Sequence, residues 1–365
     1  MDYKEKASLC LIHSIIGVSN STLYKIVEHF GSFSACLEAE YKDLQKSFLS
    51  PSICDGIIKS RHECFNYMDS LINDDIKIIT ISDEEYPQLL KNIANPPYIL
   101  YGKGDINLLN EFCIAVVGAR AATQYGKKVA YELGKELAAH DVVTVSGMAR
   151  GIDSEVHKGS LQAQGKTIAV LGSGIKVIYP KENTELYKNI CQEGLVISEF
   201  APQTWPEPFN FPMRNRIISG LRYGVVGGEA RIKRGALITS DFALEQGRDV
   251  FAVPGPITSK NSEGTNNLIK QGAKLITCVE DILEEYSRIK SFKPGGVEIV
   301  QAELPLLSDK EQLLLNVLDF EPVHFESILN NTSFEIGELS TLLLDLQFKG
   351  IVKAMPGNYY VKIIS

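Results

Sequence analysis

The chain has 365 residues, 44% of them hydrophobic, and its 37 basic and 45 acidic side chains give a net charge of −8. This length predicts two or three domains with cores of their own, and the overall acidity argues against a nucleic-acid-binding protein. The net charge of the whole chain conceals one basic region. Residues 112–290 hold 22 basic and 19 acidic side chains, whereas the rest of the chain holds 15 basic and 26 acidic ones.

The cysteines and the N-terminus indicate a cellular compartment. The seven cysteines are scattered and never spaced as C-x-x-C, which predicts reduced thiols and no metal site. The first residues include Asp2, Lys4, Glu5 and Lys6, and the apolar run behind them is short. We therefore predict neither a signal peptide nor a membrane span, and expect a cytoplasmic protein without a membrane partner.

Residues 1–65 read as a small helical domain. The run from Gly17 to Thr22 has the turn and capping residues of a tight hairpin, and apolar residues at helical spacing follow it up to Gly31. Such a hairpin can hold a DNA phosphate on its backbone amides, as in helix-hairpin-helix domains. Because no basic excess accompanies it, the sequence favours a plain helical bundle.

Residues 66–290 read as the main domain. Residues 76–81 predict a strand, and residues 95–102 predict an extended segment that starts at an edge, because Pro96 and Pro97 cannot donate to a ladder. Both are expected to extend the main sheet. Apolar runs separated by helical patterns then predict strands at 112–117, 141–146, 167–171, 195–198, 223–226 and 249–253. Between the fourth and fifth of these strands, Pro202 to Pro212 reads as an ordered loop that carries Trp205, Phe209 and Phe211, and Arg214 to Leu221 reads as a helix.

This alternation predicts an open, doubly wound, Rossmann-like parallel sheet with helices on both faces. The first three of these strands stop at glycine-containing loops, and right-handed crossovers place such loops along one sheet edge, where backbone N–H groups attract anions. Seven of the ten arginines lie between Arg120 and Arg234, several beside these loops. Their planar, permanently charged forks suit phosphate.

The motifs for nucleotide cofactors are incomplete. The pair Gly172 and Gly174 is followed by Val177 where a third small residue should fall, and no G-x-x-x-x-G-K-[ST] run exists, so neither NAD nor a P-loop nucleotide is expected. Asp153 and His157 are spaced i, i+4 as an acid/base pair would be. With no nucleophile nearby, a helix cap at Asp153 and local packing of His157 are favoured.

The C-terminal part begins with a predicted linker at residues 291–307. Residues 308–365 then show three helical patterns and a hairpin, the order of a winged-helix domain. From Asp309 onward this domain holds eight acidic and four basic side chains, and its third helix has no arginine. A DNA-reading wing is normally basic, so a protein-contact or structural role is favoured.

Six segments together resemble the DprA family of bacterial DNA processing proteins, also called Smf. They are VGAR at 117–120, SGMARGIDS at 146–154, VLGSG at 170–174 with Tyr179 and Pro180, RNRIISGL at 214–221, GALIT at 235–239 and QGRDVFAVPG at 246–255. The resemblance covers residues 80–285 densely. Members often carry an N-terminal helical domain of sterile-alpha-motif type and a C-terminal winged helix, in agreement with both flanks.

The resemblance implies a single-stranded DNA-binding protein that protects incoming DNA and loads the RecA recombinase onto it during natural transformation. It also implies a homodimer through the Rossmann domain and no enzymatic activity or cofactor. Arg120 is the leading phosphate contact. The candidate DNA-binding residues are Gly118, Arg120, Ser146, Gly147, Arg150, Arg214, Arg216, Lys233, Arg234 and Thr239.

Three departures from the family pattern stand near these residues. Ala119 replaces a usual serine, Gly227 and Gly228 replace two valines before Glu229, and Arg234 replaces a serine. Tyr125, Phe209 and Phe211 could stack on bases, although packing in the core or in a loop is favoured for each of them.

The alternative is a lysine-decarboxylase-like Rossmann enzyme that cleaves nucleoside monophosphates, in which a Gly-Gly-Glu at a strand end holds the nucleotide. Gly227, Gly228 and Glu229 distantly resemble that motif, although the Pro-Gly-Gly-x-Gly-Thr string of the group is absent. Glu229 has a catalytic-looking place, but it could equally hold the loop that carries Arg231 and Arg234.

Overall fold

The structure is a computed structural model that describes residues 1–231, 236–286, 308–318, 323–332, 334–349, 351–355 and 357–362. Its contacts divide the chain into two compact units, Met1–Pro294 and Gly295–Ser365. The predicted linker at residues 291–307 lies outside the described residues.

Helices open the first unit, as the sequence predicts. Those before the first strand are α1 Tyr3–Ser14, α2 Asn20–Phe30, α3 Phe33–Glu38, α4 Tyr41–Lys46, α5 Pro51–Ser60 and α6 Cys64–Asn73. Ser19 and Thr22 form a capping box at the start of α2, and Gly31 ends it in the left-handed conformation with φ +80°. The predicted hairpin and stop signal are therefore confirmed.

The N-terminal helices share a core with the sheet. Buried residues of α1, such as Leu9 and Ile12, cluster with Tyr101 and Val196 of the sheet. The predicted boundary between residues 65 and 66 falls inside α6. A division of this compact unit into a helical and a sheet domain stays a prediction.

The sheet of the first unit has the order β1-β2-β6-β5-β4-β3-β7-β8-β9. Strands β3 to β9 are parallel, and β1 and β2 extend the sheet as antiparallel neighbours beyond β6. This confirms the doubly wound α/β fold and its predicted extension. The predicted edge position of the segment 95–102 is wrong, because β2 pairs with both β1 and β6 and the two prolines lie before the strand. The strands are β1 Lys77–Thr80, β2 Ile99–Gly104, β3 Cys113–Val117, β4 Val143–Ser146, β5 Thr167–Val170, β6 Leu195–Ser198, β7 Gly224–Gly227, β8 Asp249–Ala252 and β9 Lys274–Leu275.

Helices cover both faces because alternate strand residues point to opposite sides. The helices on the two faces are α7 Gln88–Lys91, α8 Gln124–Ala139, α9 Ile152–Gln162, α10 Thr184–Glu193, α11 Asn210–Gly220, α12 Ala236–Glu245, α13 Glu263–Lys270 and α14 Glu280–Leu283. In β3, Ile114 and Val116 pack with α8, α9 and α14, whereas Ala115 and Val117 pack with α11, α12 and α13.

Helices α8 and α9 touch through glycines. A Cβ on Gly159 would lie 2.0 Å from the carbonyl oxygen of Tyr131, and one on Gly134 would lie 2.3 Å from that of Val156. The two backbones therefore pack closer than larger side chains would allow. This contact fixes α9 against α8, and with it the loops that lead into both helices.

The order of the strands reverses between β3 and β7, because the chain runs outward from β3 to β6 and then returns to β7 on the other side of β3. Ligands of open α/β sheets bind outside the carboxyl ends of the strands at such a switch point. The loops after β3, β4, β5, β7 and β8 therefore meet at the predicted working edge.

The second unit has the winged-helix order. Its elements are α15 Asp309–Leu315, β10 Val323–His324, α16 Phe325–Asn330, α17 Ile336–Phe348, β11 Val352–Met355 and β12 Tyr359–Lys362. The strands pair antiparallel in the order β10-β12-β11, and residues such as Leu314, Leu339 and Leu346 form a separate core. The three predicted helices and the hairpin are confirmed, while β10 is an addition that the sequence analysis missed.

Candidate functional site

The loop after β3, residues 118–123, is held by backbone contacts. The N–H of Ala119 donates to the carbonyl oxygen of Glu229 (2.7 Å), and the carbonyl oxygen of Ala119 accepts from the N–H of Ile152 (3.3 Å). A Cβ on Gly118 would lie 2.5 Å from the side chain of Ile152. The predicted site residue Gly118 therefore permits the close approach of α9, which places Arg120 at the strand end.

Arg120 is exposed and lies over an aromatic ring. Its guanidinium carbon is 4.7 Å from the centroid of the Phe211 ring, and Phe211 packs in turn against Tyr179 with the ring centroids 5.6 Å apart. Among the described residues, no carboxylate forms an ion pair with Arg120. A guanidinium stacked on a ring keeps its N–H groups available for an anion.

The loop after β4, residues 147–151, presents one cation. Arg150 is exposed and its Nη2 lies 2.5 Å from Oε1 of Glu182, with both side chains about 60% exposed. Such a surface pair contributes little stability, so a phosphate can compete for the arginine. Ser146 is instead buried and donates to the carbonyl oxygen of Val116 (2.7 Å), which joins β4 to β3 rather than facing a ligand.

Arg214 is buried and holds two of the loops together. Its Nη1 donates to the carbonyl oxygens of Gly147 (2.7 Å) and Val170, and a Cβ on Gly147 would lie 2.3 Å from the guanidinium. Burial lowers the pKa of Arg214 to about 10, against the attraction of Asp153, so it stays charged at neutral pH. We revise its predicted role from phosphate contact to positioning, because the side chain is only 3% exposed.

Two other predicted site residues, Arg216 and Thr239, are also buried. Arg216 forms a buried ion pair with Glu199, and burial raises the pKa of Glu199 although Arg216 acts in the opposite direction. Thr239 on α12 is buried too. Their predicted contact with DNA is revised for the same reason. Lys233 and Arg234 lie outside the described residues.

Glu229, two residues after β7, stabilises the loop that leads into α8. Its buried carboxylate accepts hydrogen bonds from the backbone N–H (2.8 Å) and the Oγ1 (2.6 Å) of Thr123. A Cβ on Gly126 would lie 2.5 Å from this carboxylate. Both oxygens of Glu229 are thus used to fix the start of α8 beside Arg120, whereas the sequence left open whether this residue has a catalytic place.

Asp153 and His157 are both buried. The predicted helix cap at Asp153 is wrong, because Asp153 lies within the first turn of α9, whose N-cap is Gly151 and has no side-chain cap hydrogen bond. The predicted local packing of His157 is confirmed. The N–H of Ala149 donates to Asp153 (3.4 Å), and Nδ1 of His157 lies 2.6 Å from Oγ1 of Thr167. Burial, with a contribution from Arg214, lowers the pKa of His157 from its usual 6.5 to about 3. The folded protein therefore holds His157 neutral.

His157 makes the stability of the protein sensitive to acid. Because its folded pKa lies below its unfolded value, its stabilisation is present above pH 6.5 and is lost as the pH falls toward 3. Between pH 7 and pH 5 we expect the free energy of unfolding to fall by about 2 kcal/mol through this group. Urea unfolding of the wild type and His157→Gln at both pH values tests this. An equal fall in both proteins would contradict it.

Two residues that the sequence analysis did not single out support the site. Asn183 is buried, and its Nδ2 donates to the carbonyl oxygen of Met148 (2.8 Å) and to Oγ of Ser154 (3.0 Å). Asn261 accepts from Nε of Arg231 (2.8 Å) and donates to the carbonyl oxygen of Ala121 (2.9 Å). Both are isolated asparagines in the sequence, where nothing distinguishes them from surface residues.

A small pocket opens where the loops meet. Its volume is about 30 Å³, whereas sites for small molecules usually enclose about 300–1,000 Å³. Its lining comprises Arg120, Gly147, Ala149, Arg150, Gly172, Ser173, Tyr179, Pro180 and Phe211. We call the loops 118–123, 147–151 and 172–180 the strand-end surface; it suits one phosphate group or the edge of a base.

Within the described ranges, no three His, Cys, Asp or Glu side chains are grouped as metal ligands would be. In the same ranges, no helix is long and apolar enough to cross a membrane.

Comparison with known proteins decides the family. Residues 77–287 match the family described as DNA recombination-mediator protein A, and residues 301–358 match the DprA winged helix domain. This chain belongs to the DNA recombination-mediator protein A family. The family resemblance that the sequence motifs carried is therefore confirmed, together with the winged-helix assignment.

Relatives and solved structures of the DprA family agree with the assignment. The DNA processing protein DprA of Bacillus subtilis is 47% identical over 211 residues, 58% of this chain and 71% of the relative. DprA of Streptococcus pneumoniae superposes with a TM-score of 0.64 at 37% identity, covering 76% of this chain and 97% of that one. DprA of Helicobacter pylori, whose structure describes a single-stranded DNA binding mode, gives 0.54 at 28% identity over 60% and 97%.

Proposed function

We propose that this DprA family member binds single-stranded DNA at the strand-end surface. The observation that carries the proposal is Arg120, which is exposed, stacked on Phe211 and without an ion-pair partner among the described residues. The Helicobacter pylori relative with a single-stranded DNA binding mode supports the ligand class. Arg120 would contact a phosphate, and Arg150 a second one after leaving Glu182.

The shape of the surface favours an unpaired strand. Single strands are held by cations along the backbone and by aromatic side chains that stack on bases without sequence preference. Arg120, Arg150 and the ring of Tyr179 belong to the strand-end surface, and the ring of Phe211 lies against it. In a duplex the faces of the bases are stacked on one another, so a duplex can contact only the cations of this surface, through its phosphates.

Binding to labelled oligonucleotides tests the proposal. If roughly four phosphates are neutralised, the logarithm of the affinity should fall with the logarithm of the salt concentration with a slope of about −3. We expect this slope in fluorescence anisotropy, with an unlabelled single strand competing better than a duplex of the same length. Equal competition by the duplex would contradict selective binding of unpaired DNA.

We infer that the protein binds DNA and does not cleave nucleoside monophosphates. The pocket at the strand-end surface is about 30 Å³ in volume, too small for a nucleoside monophosphate, and Glu229 is occupied by Thr123. These observations weigh against the lysine-decarboxylase-like alternative. Release of ribose 5-phosphate from nucleoside monophosphates by the purified protein would restore it.

Loading of RecA and dimerisation through the Rossmann domain are further proposals that rest on the family. We propose that the protein protects incoming strands in the cytoplasm and transfers them to RecA during natural transformation. The expected result is faster RecA filament formation on DNA covered by single-strand-binding protein. Sedimentation at twice the 40.3 kDa chain mass is expected for the dimer, and a monomer at all concentrations would contradict it.

We propose that the winged-helix unit contacts protein rather than duplex DNA. The exposed face of α17 carries Ile336, Ser340, Thr341, Leu344 and Asp345. This helix contains no lysine or arginine, and helices that read DNA grooves normally carry them. Deletion of residues 308–365 should therefore leave the affinity for DNA unchanged.

A further inference from the structure

Residues 202–212, here called the aromatic loop, are held against the strand-end surface. The N–H of Gly174 donates to the carbonyl oxygen of Thr204 (2.8 Å), and the N–H of Lys176 donates to that of Pro202 (2.9 Å). A Cβ on Gly174 would lie 2.2 Å from the carbonyl oxygen of Ala201. The backbone of the aromatic loop is thus fixed beside the loop that follows β5.

The end of the aromatic loop is inserted into the site. The sequence predicts α11 to begin near Arg214, but α11 begins at Asn210, since Pro212 needs no hydrogen-bond acceptor in a first helical turn. Phe211 consequently packs on Gly172, where a Cβ would lie 2.7 Å from its ring. The rest of the loop is therefore anchored at both of its ends.

Trp205, in contrast, is turned out to solvent. It is 72% exposed, and Phe209 is 64% exposed. Pro206 and Pro208 separate these two aromatic residues and restrict the backbone between them. Nδ2 of Asn210 reaches the carbonyl oxygen of Trp205 at 3.4 Å. Two large, exposed rings carried by one anchored, proline-rich loop favour a contact surface, because tryptophan and other aromatic residues are enriched at interfaces.

The charges around Trp205 favour an unpaired base as its occupant. The aromatic loop itself carries one charged side chain, Glu207, so it adds no cation of its own for phosphate. The cation beside it is Arg120, which lies on the ring of Phe211 in the same loop. Thr204, the neighbour of Trp205, is bonded to Gly174 of the strand-end surface, so a strand that runs from Arg120 along this loop can reach the exposed indole.

We propose that Trp205, together with Phe209 of the same loop, forms a stacking platform for a base of the DNA strand next to the strand-end surface. This inference rests on the proposed function and extends the bound strand beyond the small pocket. Stacking on an indole is insensitive to salt, whereas contact with Arg120 is not. The two contributions can therefore be separated in one experiment.

Trp205 is the only tryptophan of the chain, so its fluorescence reports on the platform directly. We expect an oligothymidylate to quench this fluorescence at the concentrations at which anisotropy shows binding. An abasic oligonucleotide with the same number of phosphates should bind more weakly and leave the emission unchanged. Emission that changes with protein concentration without DNA would instead indicate a contact between protein copies, and would overturn the proposal.

Substitutions complete the test. Trp205→Ala should lose about ten-fold in affinity, within the 5- to 150-fold that one stacked base contributes, with the salt slope unchanged. Trp205→Phe should keep most of the affinity, and Phe65→Ala, which removes an exposed aromatic residue of the N-terminal helices, should keep all of it. Wild-type binding without quenching, and with Trp205→Ala unaffected, would overturn the platform and leave the proposed function standing. Absence of wild-type binding would overturn both.

Discussion

Arg120→Glu is expected to reduce the affinity for single-stranded DNA at least about 100-fold. The substitution removes a charge-assisted contact, worth about 1.5–3 kcal/mol, and sets a carboxylate against a phosphate. Because Arg120 is exposed and forms no ion pair among the described residues, stability should hardly change. Anisotropy with a labelled oligonucleotide and a thermal unfolding curve measure both effects.

The matched control for this substitution is Arg61→Glu. Arg61 is also exposed, lies in the N-terminal helical part and forms no ion pair among the described residues. Arg61→Glu changes the net charge of the protein by the same amount as Arg120→Glu does, so its effect on affinity reports the contribution of overall charge alone. Similar losses in the two variants would show that binding follows net charge and not a site at Arg120.

Gly151→Ala should damage both stability and DNA binding. Gly151 has φ +80° and ψ −128°, a conformation that is costly for residues with a side chain. An added Cβ would lie 2.2 Å from the carbonyl oxygen of Ala119 and 2.7 Å from that of Arg120. Backbone strain and steric overlap each cost about 1–3 kcal/mol, and the overlap would push the loop that carries Arg120 out of place.

Gly31→Ala is the control for Gly151→Ala, because it introduces backbone strain without displacing the loop that carries Arg120. Gly31 also has φ +80°, but a Cβ there would meet no atom within 4 Å. It should lose about 1 kcal/mol of stability and bind DNA as the wild type does. If Gly151→Ala behaved like Gly31→Ala in both urea unfolding and anisotropy, the close fit between the β3 and β4 loops would not matter for binding.

The fold was largely predictable because parallel strands buried on both faces appear as apolar runs ending in glycine. β3, β4 and β5 follow this pattern, and their loops meet where the strand order reverses. The start of α11 was missed because Pro212 reads as a loop residue, although proline is compatible with a first helical turn. The sequence thus predicted the edge at which these loops meet but predicted a loop up to Pro212, whereas α11 begins at Asn210.

The roles of individual arginines could not be predicted in the same way. A sequence shows a charge but not the partner that removes it from the surface. Arg214 and Arg216 read like Arg120, yet one holds the carbonyls of Gly147 and Val170 and the other pairs with Glu199. Only the packing of α11 beneath the loops distinguishes them from a phosphate contact.

Photo-cross-linking of bound DNA shows directly whether the strand lies on the strand-end surface. An oligonucleotide that carries photoreactive uracils would be irradiated in complex with the full chain, and the attached peptides mapped by mass spectrometry. If DNA binds at the strand-end surface and the aromatic loop, we expect cross-links within residues 118–123, 147–151, 172–180 and 202–212, and their loss in Arg120→Glu. Cross-links confined to the N-terminal helices or to residues 308–365 would contradict it.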